Sequence, residues 1–115
     1  MRHSKLLLKD IIDAISAIEK FVERINFEEF KSNDEKSSAV IRKFEIIGEA
    51  TKALPEDLKK KYPEIPWEEM AGFRDKLIHF YFSIKHELVW QAIKNRLPQL
   101  KASIQNIVLK METDK

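Results

Sequence analysis

With 115 residues, 21 Lys and Arg against 19 Asp and Glu, and a formal charge of +2, the chain suits one domain with a single modest core and no separate cofactor domain. Two glycines, four prolines and 35% charged residues exclude a turn-rich β fold and suit long amphipathic helices, so residues 1–115 are predicted to form one all-α domain. The lack of cysteine excludes disulfides, zinc–thiolate centres and cysteine nucleophiles, and the near-balance of charge confines any nucleic-acid site to a local group of cations.

Met1-Arg2-His3-Ser4 runs straight into a periodic segment carrying Lys5, Lys9 and Asp10. There is no signal-peptide block and no run long enough to span a bilayer, so a soluble, cytoplasmic protein without membrane contact is expected. Ser4 is a plausible N-cap, and Leu8, Ile11, Ile12, Ile15, Ile18, Val22 and Ile25 recur at three- and four-residue steps, predicting a helix over 5–25. Residues 26–35 break that period but keep Phe27 and Phe30, which reads as a short connection whose aromatics fold back on the core. Ser32-Asn33-Asp34 then offers a cap for the next helix.

The second helix is predicted over 35–54, with Val40, Ile41, Phe44, Ile47, Ala50 and Leu54 as its apolar stripe and Gly48 inside it. A glycine there costs about 1 kcal/mol relative to alanine, which points to close approach of another backbone. The opposite face carries Arg42, Glu45, Glu49 and Lys52. Two readings stay open for that face: an exposed ion-pair ladder worth a few tenths of a kcal/mol per pair, or a polar wall towards an active site or partner subunit.

Pro55 opens a short helical turn with Glu56 and Asp57 where the dipole favours anions, and Pro63 and Pro66 stop it. Pro66 also supplies the first position of a third helix over 66–80. After a break at 83–85, Val89, Ile93, Leu97, Leu100, Ile104, Ile107 and Met111 form a nearly heptad stripe, in which Pro98 should kink the helix or restart it.

Histidines at 3, 79 and 86 have no carboxylate at zinc-site spacing, so no metal centre is expected. There is no Gly-rich phosphate loop, no serine stands at a strained turn, and no cofactor is implied. The remaining chemistry is concentrated in residues 62–85, in the string Arg74-x4-His79-x-Tyr81. An arginine holds a phosphate bidentately and an imidazole titrates near neutrality, so the pair could cleave a phosphodiester without a metal, using the RNA 2′-OH as nucleophile. On spacing alone a structural role, buried or at the surface, is the simpler account. On an ideal helix positions 74 and 79 point about 140° apart while 74 and 81 share a face. Either the helix loosens near 78–81 or the site is completed across a subunit interface. Lys76 and Lys85 are candidate RNA-backbone contacts, and Tyr81 is either a core aromatic with a polar edge or part of the site.

Three segments together, AVIRKFEIIGEATKAL at 39–54, PEIPWEEMAGFRDKLIHFYF at 63–82 and HELVWQAIKNRLPQL at 86–100, give the chain a resemblance to the HEPN superfamily and, within it, to the HepT-like toxins of toxin–antitoxin pairs. The resemblance covers almost the whole chain. It implies a compact antiparallel helical bundle of four to five helices, forming a homodimer that brings two copies of the Arg-x4-His motif into one cleft. It further implies metal-independent cleavage of RNA, with Arg74 and His79 matching the catalytic pair. The implied partner is a cognate nucleotidyltransferase antitoxin that adds AMP to the motif tyrosine, matching Tyr81. Arg42, Glu45 and Glu49 would then form a supporting polar face. The alternative is a non-catalytic helical adaptor that presents nucleotide or substrate to a nucleotidyltransferase; the intact Arg74 and His79 favour the nuclease.

Overall fold

The core stripe of the first helix starts a turn earlier than its leucines suggest. In the computed structural model, which describes residues 2–79 and 86–113 with the side chains at 2, 78 and 79 excepted, α1 spans Arg2–Phe21. Ser4 is not its N-cap. It lies one turn inside the helix, 2% exposed, extending the buried line of Leu8, Ile11, Ile15 and Ile18. The helix ends before Ile25, at a turn in which Arg24 takes a left-handed φ of 63°. That is the backbone reversal usually given to glycine at a helix C-terminus.

The segment after it is more ordered than a connection. Asn26 caps a short helix, α2 (Phe27–Ser32), accepting from the Glu29 amide at 2.9 Å while Glu29 Oε1 accepts from the Asn26 amide at 3.2 Å. This reciprocal box satisfies two otherwise orphaned donors, and Asn26-x-x-Glu29 is its sequence mark. The helix aims its aromatics as expected: Phe30 is fully buried, with its ring 5.3 Å from Trp90, and Phe27 stands 6.1 Å from the same indole. Asn33 then caps α3 (Asp34–Ala53), accepting from the Lys36 amide at 2.9 Å.

Helix α3 is the centre of the fold, with α1 and α5 (Trp67–His79) both packed extensively against it. Between them α4 (Glu56–Lys61) is anchored by Leu58, which is 7% exposed. The C-terminal stripe forms two helices, α6 (His86–Asn95) and α7 (Leu97–Thr113). Pro98 has no amide to give, and the interruption falls on Arg96; the amide of Arg96 still reaches Ala92 O and that of Leu100 reaches Arg96 O. Helix α7 lies antiparallel to α1, as ion pairs Lys5–Glu112 at 3.4 Å and Lys101–Glu19 at 2.8 Å at opposite ends of the pair demonstrate.

The architecture is therefore the expected all-α, HEPN-like bundle. It holds seven helices among the described residues rather than four to five. The excess over five consists of α2, read from the sequence as a connection and too short for apolar periodicity to reveal, and of the restart at Leu97, which is the second of the two outcomes expected at Pro98. No described helix is long and apolar enough to cross a membrane.

Candidate active site

Helix α5 is fixed at its start by a tryptophan. Pro66 accepts the Met70 amide at 3.0 Å, Glu68 and Glu69 occupy the first turn where the helix dipole favours anions, and the Trp67 indole donates to Tyr62 O at 3.0 Å and Lys59 O at 3.2 Å. Trp67, Met70 and Leu77 are buried, and Phe73 meets Phe44 of α3 edge-on at 4.9 Å. Positions 67, 70, 74 and 77 follow the helical three-and-four spacing, so Arg74 occupies an inward-facing position in an otherwise apolar line.

Gly48 makes room for that arginine. A Cβ built on Gly48 would overlap Arg74 Cβ outright and lie 3.0 Å from its Cγ and 3.2 Å from its Cδ. The stem of Arg74 is thus laid across the bare backbone of α3: the glycine admits a side chain, where the sequence pointed to a neighbouring backbone. Only about a quarter of the side chain remains exposed (27%).

The guanidinium emerges between carboxylates. Nη1 lies 3.5 Å from Asp75 Oδ1, and Nε lies 3.9 Å from Glu49 Oε1, which is ion-pair distance but beyond a hydrogen bond. Nε is buried and makes no hydrogen bond. Glu49 Oε1 is also 3.5 Å from Arg42 Nη1, Arg42 pairs with Glu45 at 3.4 Å, and Asp75 receives Lys52 Nζ at 2.6 Å. Three cations and three carboxylates form one chain of charge across α3 and α5. The two readings of the α3 polar face meet here: Arg42, Glu45 and Glu49 form a ladder, and at Glu49 that ladder reaches Arg74. Lys52 and Asp75 complete the network and were not among the candidate site residues; the signal for Lys52 was its place in the 42–45–49–52 series.

Lys76 is exposed and, two residues on from Arg74, turns away from the α3 side of α5. The backbone of α5 stays α-helical through His79, so positions 74 and 79 diverge along it without loosening up to that residue. The His79 side chain, Tyr81 and Lys85 lie outside the described residues. Among the described residues no three His, Asp or Glu side chains gather in a way that could hold a metal ion.

An arginine with spare donors, preset by packing against glycine and held loosely by two carboxylates, can receive an anion in exchange for its present partners. The chain is similar along most of its length to proteins named as ribonucleases. A protein of Thermococcus cleftensis named "Probable ribonuclease HepT" is 46% identical over 106 residues, covering 92% of this chain and 96% of that protein. "Putative RNase MJ1216" of Methanocaldococcus jannaschii is 40% identical over 111 residues, covering 96% and 92%. "Putative RNase TTE0752" of Caldanaerobacter subterraneus subsp. tengcongensis is 36% identical over 110 residues, covering 96% and 98%. No solved structure gives a significant match. The family model Ribonuclease HepT-like matches residues 11–107, from the middle of α1 to the middle of α7, and the chain belongs to that HepT-like family.

Proposed function

We propose that the protein is a metal-independent ribonuclease acting as the toxin of a toxin–antitoxin pair, with Arg74 and His79 as its catalytic residues. The observation that carries this reading is the seat of Arg74: an inward arginine laid on Gly48, with its Nε unbonded, five residues before a histidine on the same helix. The names of the relatives support RNA as the substrate.

In this mechanism His79 removes the proton of a ribose 2′-OH and the freed oxygen attacks the adjacent phosphorus. As the bond from phosphorus to the 2′ oxygen forms, that to the 5′ oxygen breaks, and the leaving oxygen takes up a proton. Arg74 stabilises the charge that builds on the non-bridging oxygens, a role a fixed guanidinium fork fills without a metal ion. The products are a 2′,3′-cyclic phosphate and a 5′-hydroxyl. RNA incubated with the protein in EDTA should be cut at the undiminished rate, while a 2′-deoxy oligonucleotide should stay intact. Loss of activity with chelator, or cleavage of the 2′-deoxy strand, excludes this route.

Because Arg74 and His79 diverge on an unbroken helix, the site is completed in a homodimer whose two α5 helices face one cleft. Light scattering should therefore give twice 13.6 kDa. A fully active monomer at micromolar concentration contradicts the shared cleft. Lys76 and Lys85 serve as outlying backbone-phosphate contacts.

The partner is a cognate nucleotidyltransferase antitoxin, and its target is Tyr81. The Tyr81 phenol attacks the α-phosphate of ATP, pyrophosphate leaves, and the attached AMP supplies an anion that competes with the RNA phosphate for Arg74. Incubation with that enzyme and ATP should add whole AMP units to Tyr81 and abolish RNA cleavage. Tyr81→Phe should escape both; silencing of that variant by a mark elsewhere would remove Tyr81 from the mechanism.

A further inference from the structure

At the end of the bundle where α4 meets the last turns of α7, an aromatic ring has lysines from both helices over it. Lys61 Nζ and Lys110 Nζ each lie 5.8 Å from the centroid of the Tyr62 ring, and Lys60 precedes them on α4. All three lysines are exposed and Tyr62 is half-buried. The acids at this end are engaged elsewhere: Glu56 pairs with Lys59 at 3.6 Å and Glu112 with Lys5 at 3.4 Å. Among the described residues, no carboxylate, Asp57 and Glu64 included, lies within ion-pair distance of Lys60, Lys61 or Lys110.

Lysines in the last turn of a short helix stabilise it through the dipole, which accounts for residues 59–61. That effect does not account for Lys110, brought by α7 to the same ring. Gathering like charges without counter-ions works against folding, and the arrangement suits an anion that arrives from outside. A ring with point cations over it is the makeup of a single-strand nucleic-acid platform, in which an arriving base displaces the flexible ammonium groups from the aromatic face and its neighbouring phosphates take them. The platform is also tied to the helix of the candidate site. The Trp67 indole donates to Tyr62 O at 3.0 Å, and Arg74 lies on the same line of α5 as Trp67, about 10 Å further along the axis.

We infer that Tyr62, Lys61 and Lys110, with Lys60 beside them, form a second binding site for single-stranded RNA, which holds the substrate on one side of the cut. This rests on the ribonuclease reading for its purpose but not for its test. The probe is an uncleavable 2′-O-methyl RNA oligonucleotide of about twelve nucleotides, long enough to cover a typical single-strand site. Binding is measured by fluorescence anisotropy over a series of salt concentrations with the full chain. Charge reversal in the double variant Lys61→Glu, Lys110→Glu should weaken binding at least tenfold. Lys61→Ala with Lys110→Ala should flatten the slope of log affinity against log salt by about 1.4, or 0.7 for each single-strand phosphate that the protein no longer neutralises. Tyr62→Leu should lower affinity about fivefold or more through weaker stacking. Because Tyr62 packs on the core, the exposed lysine variants decide the case if that one unfolds. Wild-type affinity and salt slope in both lysine variants would overturn the site. If the native protein binds the probe through these lysines but leaves natural RNA uncut, the ribonuclease reading fails and the binding site stands.

Discussion

Arg74→Ala and His79→Ala should each lower the rate of RNA cleavage by about 10² to 10⁴, the range for losing one preorganised charge donor or one general acid–base group. The fold should survive both changes. The carboxylates that Arg74 leaves behind, Glu49 and Asp75, keep side-chain exposures of 48% and 45%, so water replaces the guanidinium and the missing pairs are worth about 0–1 kcal/mol. Arg74→Lys keeps the charge but not the planar fork, and it should fall between alanine and wild type. Single-turnover cleavage of a defined RNA, beside thermal melts of each variant, separates catalysis from folding. Cleavage by Arg74→Ala at the native rate would remove Arg74 from the chemistry.

Gly48→Ala should be nearly as damaging, although residue 48 carries no functional group. The added methyl overlaps Arg74 Cβ, an atom next to the backbone that no rotamer change can move aside, so α3 and α5 must part or slide. Overpacking of this kind costs about 1–3 kcal/mol, offset in part by about 1 kcal/mol from the better helix propensity of alanine. The larger effect falls on the site, because displacing a positioned catalytic group by about 1 Å costs on the order of 10²-fold in rate. Gly72 supplies the control on the same helix as Arg74. A Cβ there meets nothing within 4 Å, so Gly72→Ala should raise stability by up to about 1 kcal/mol with no loss of cleavage. Equal activity in the two alanine variants would mean that the tight seating of Arg74 does not matter to the reaction.

The helical class and the core follow from the sequence, because an amphipathic helix announces its buried face in its own periodicity. Leu8, Ile11, Ile15 and Ile18 of α1, Val40, Phe44 and Ile47 of α3, and Leu100, Ile104 and Ile107 of α7 are all buried as their spacing requires. The Arg-x4-His-x-Tyr string and the resemblance built on it also led to the family. Short local chemistry was harder to read: α2 rests on the Asn26–Glu29 box rather than on any repeat, and Ser4 looked like a cap because residues of its type favour caps.

What only the tertiary structure decided is which residues stand against one another across helices. Nothing within α3 says that Gly48 will lie under Arg74, that Glu49 will share its carboxylate between Arg42 and Arg74, or that Lys52 will reach Asp75. Nothing in α4 or α7 says that Lys61 and Lys110 will share one tyrosine ring. Periodicity reports how a helix divides its faces, and it is a property of one segment. The partner of each face depends on how the segments are connected and how closely their backbones approach, which is a property of the whole packed chain.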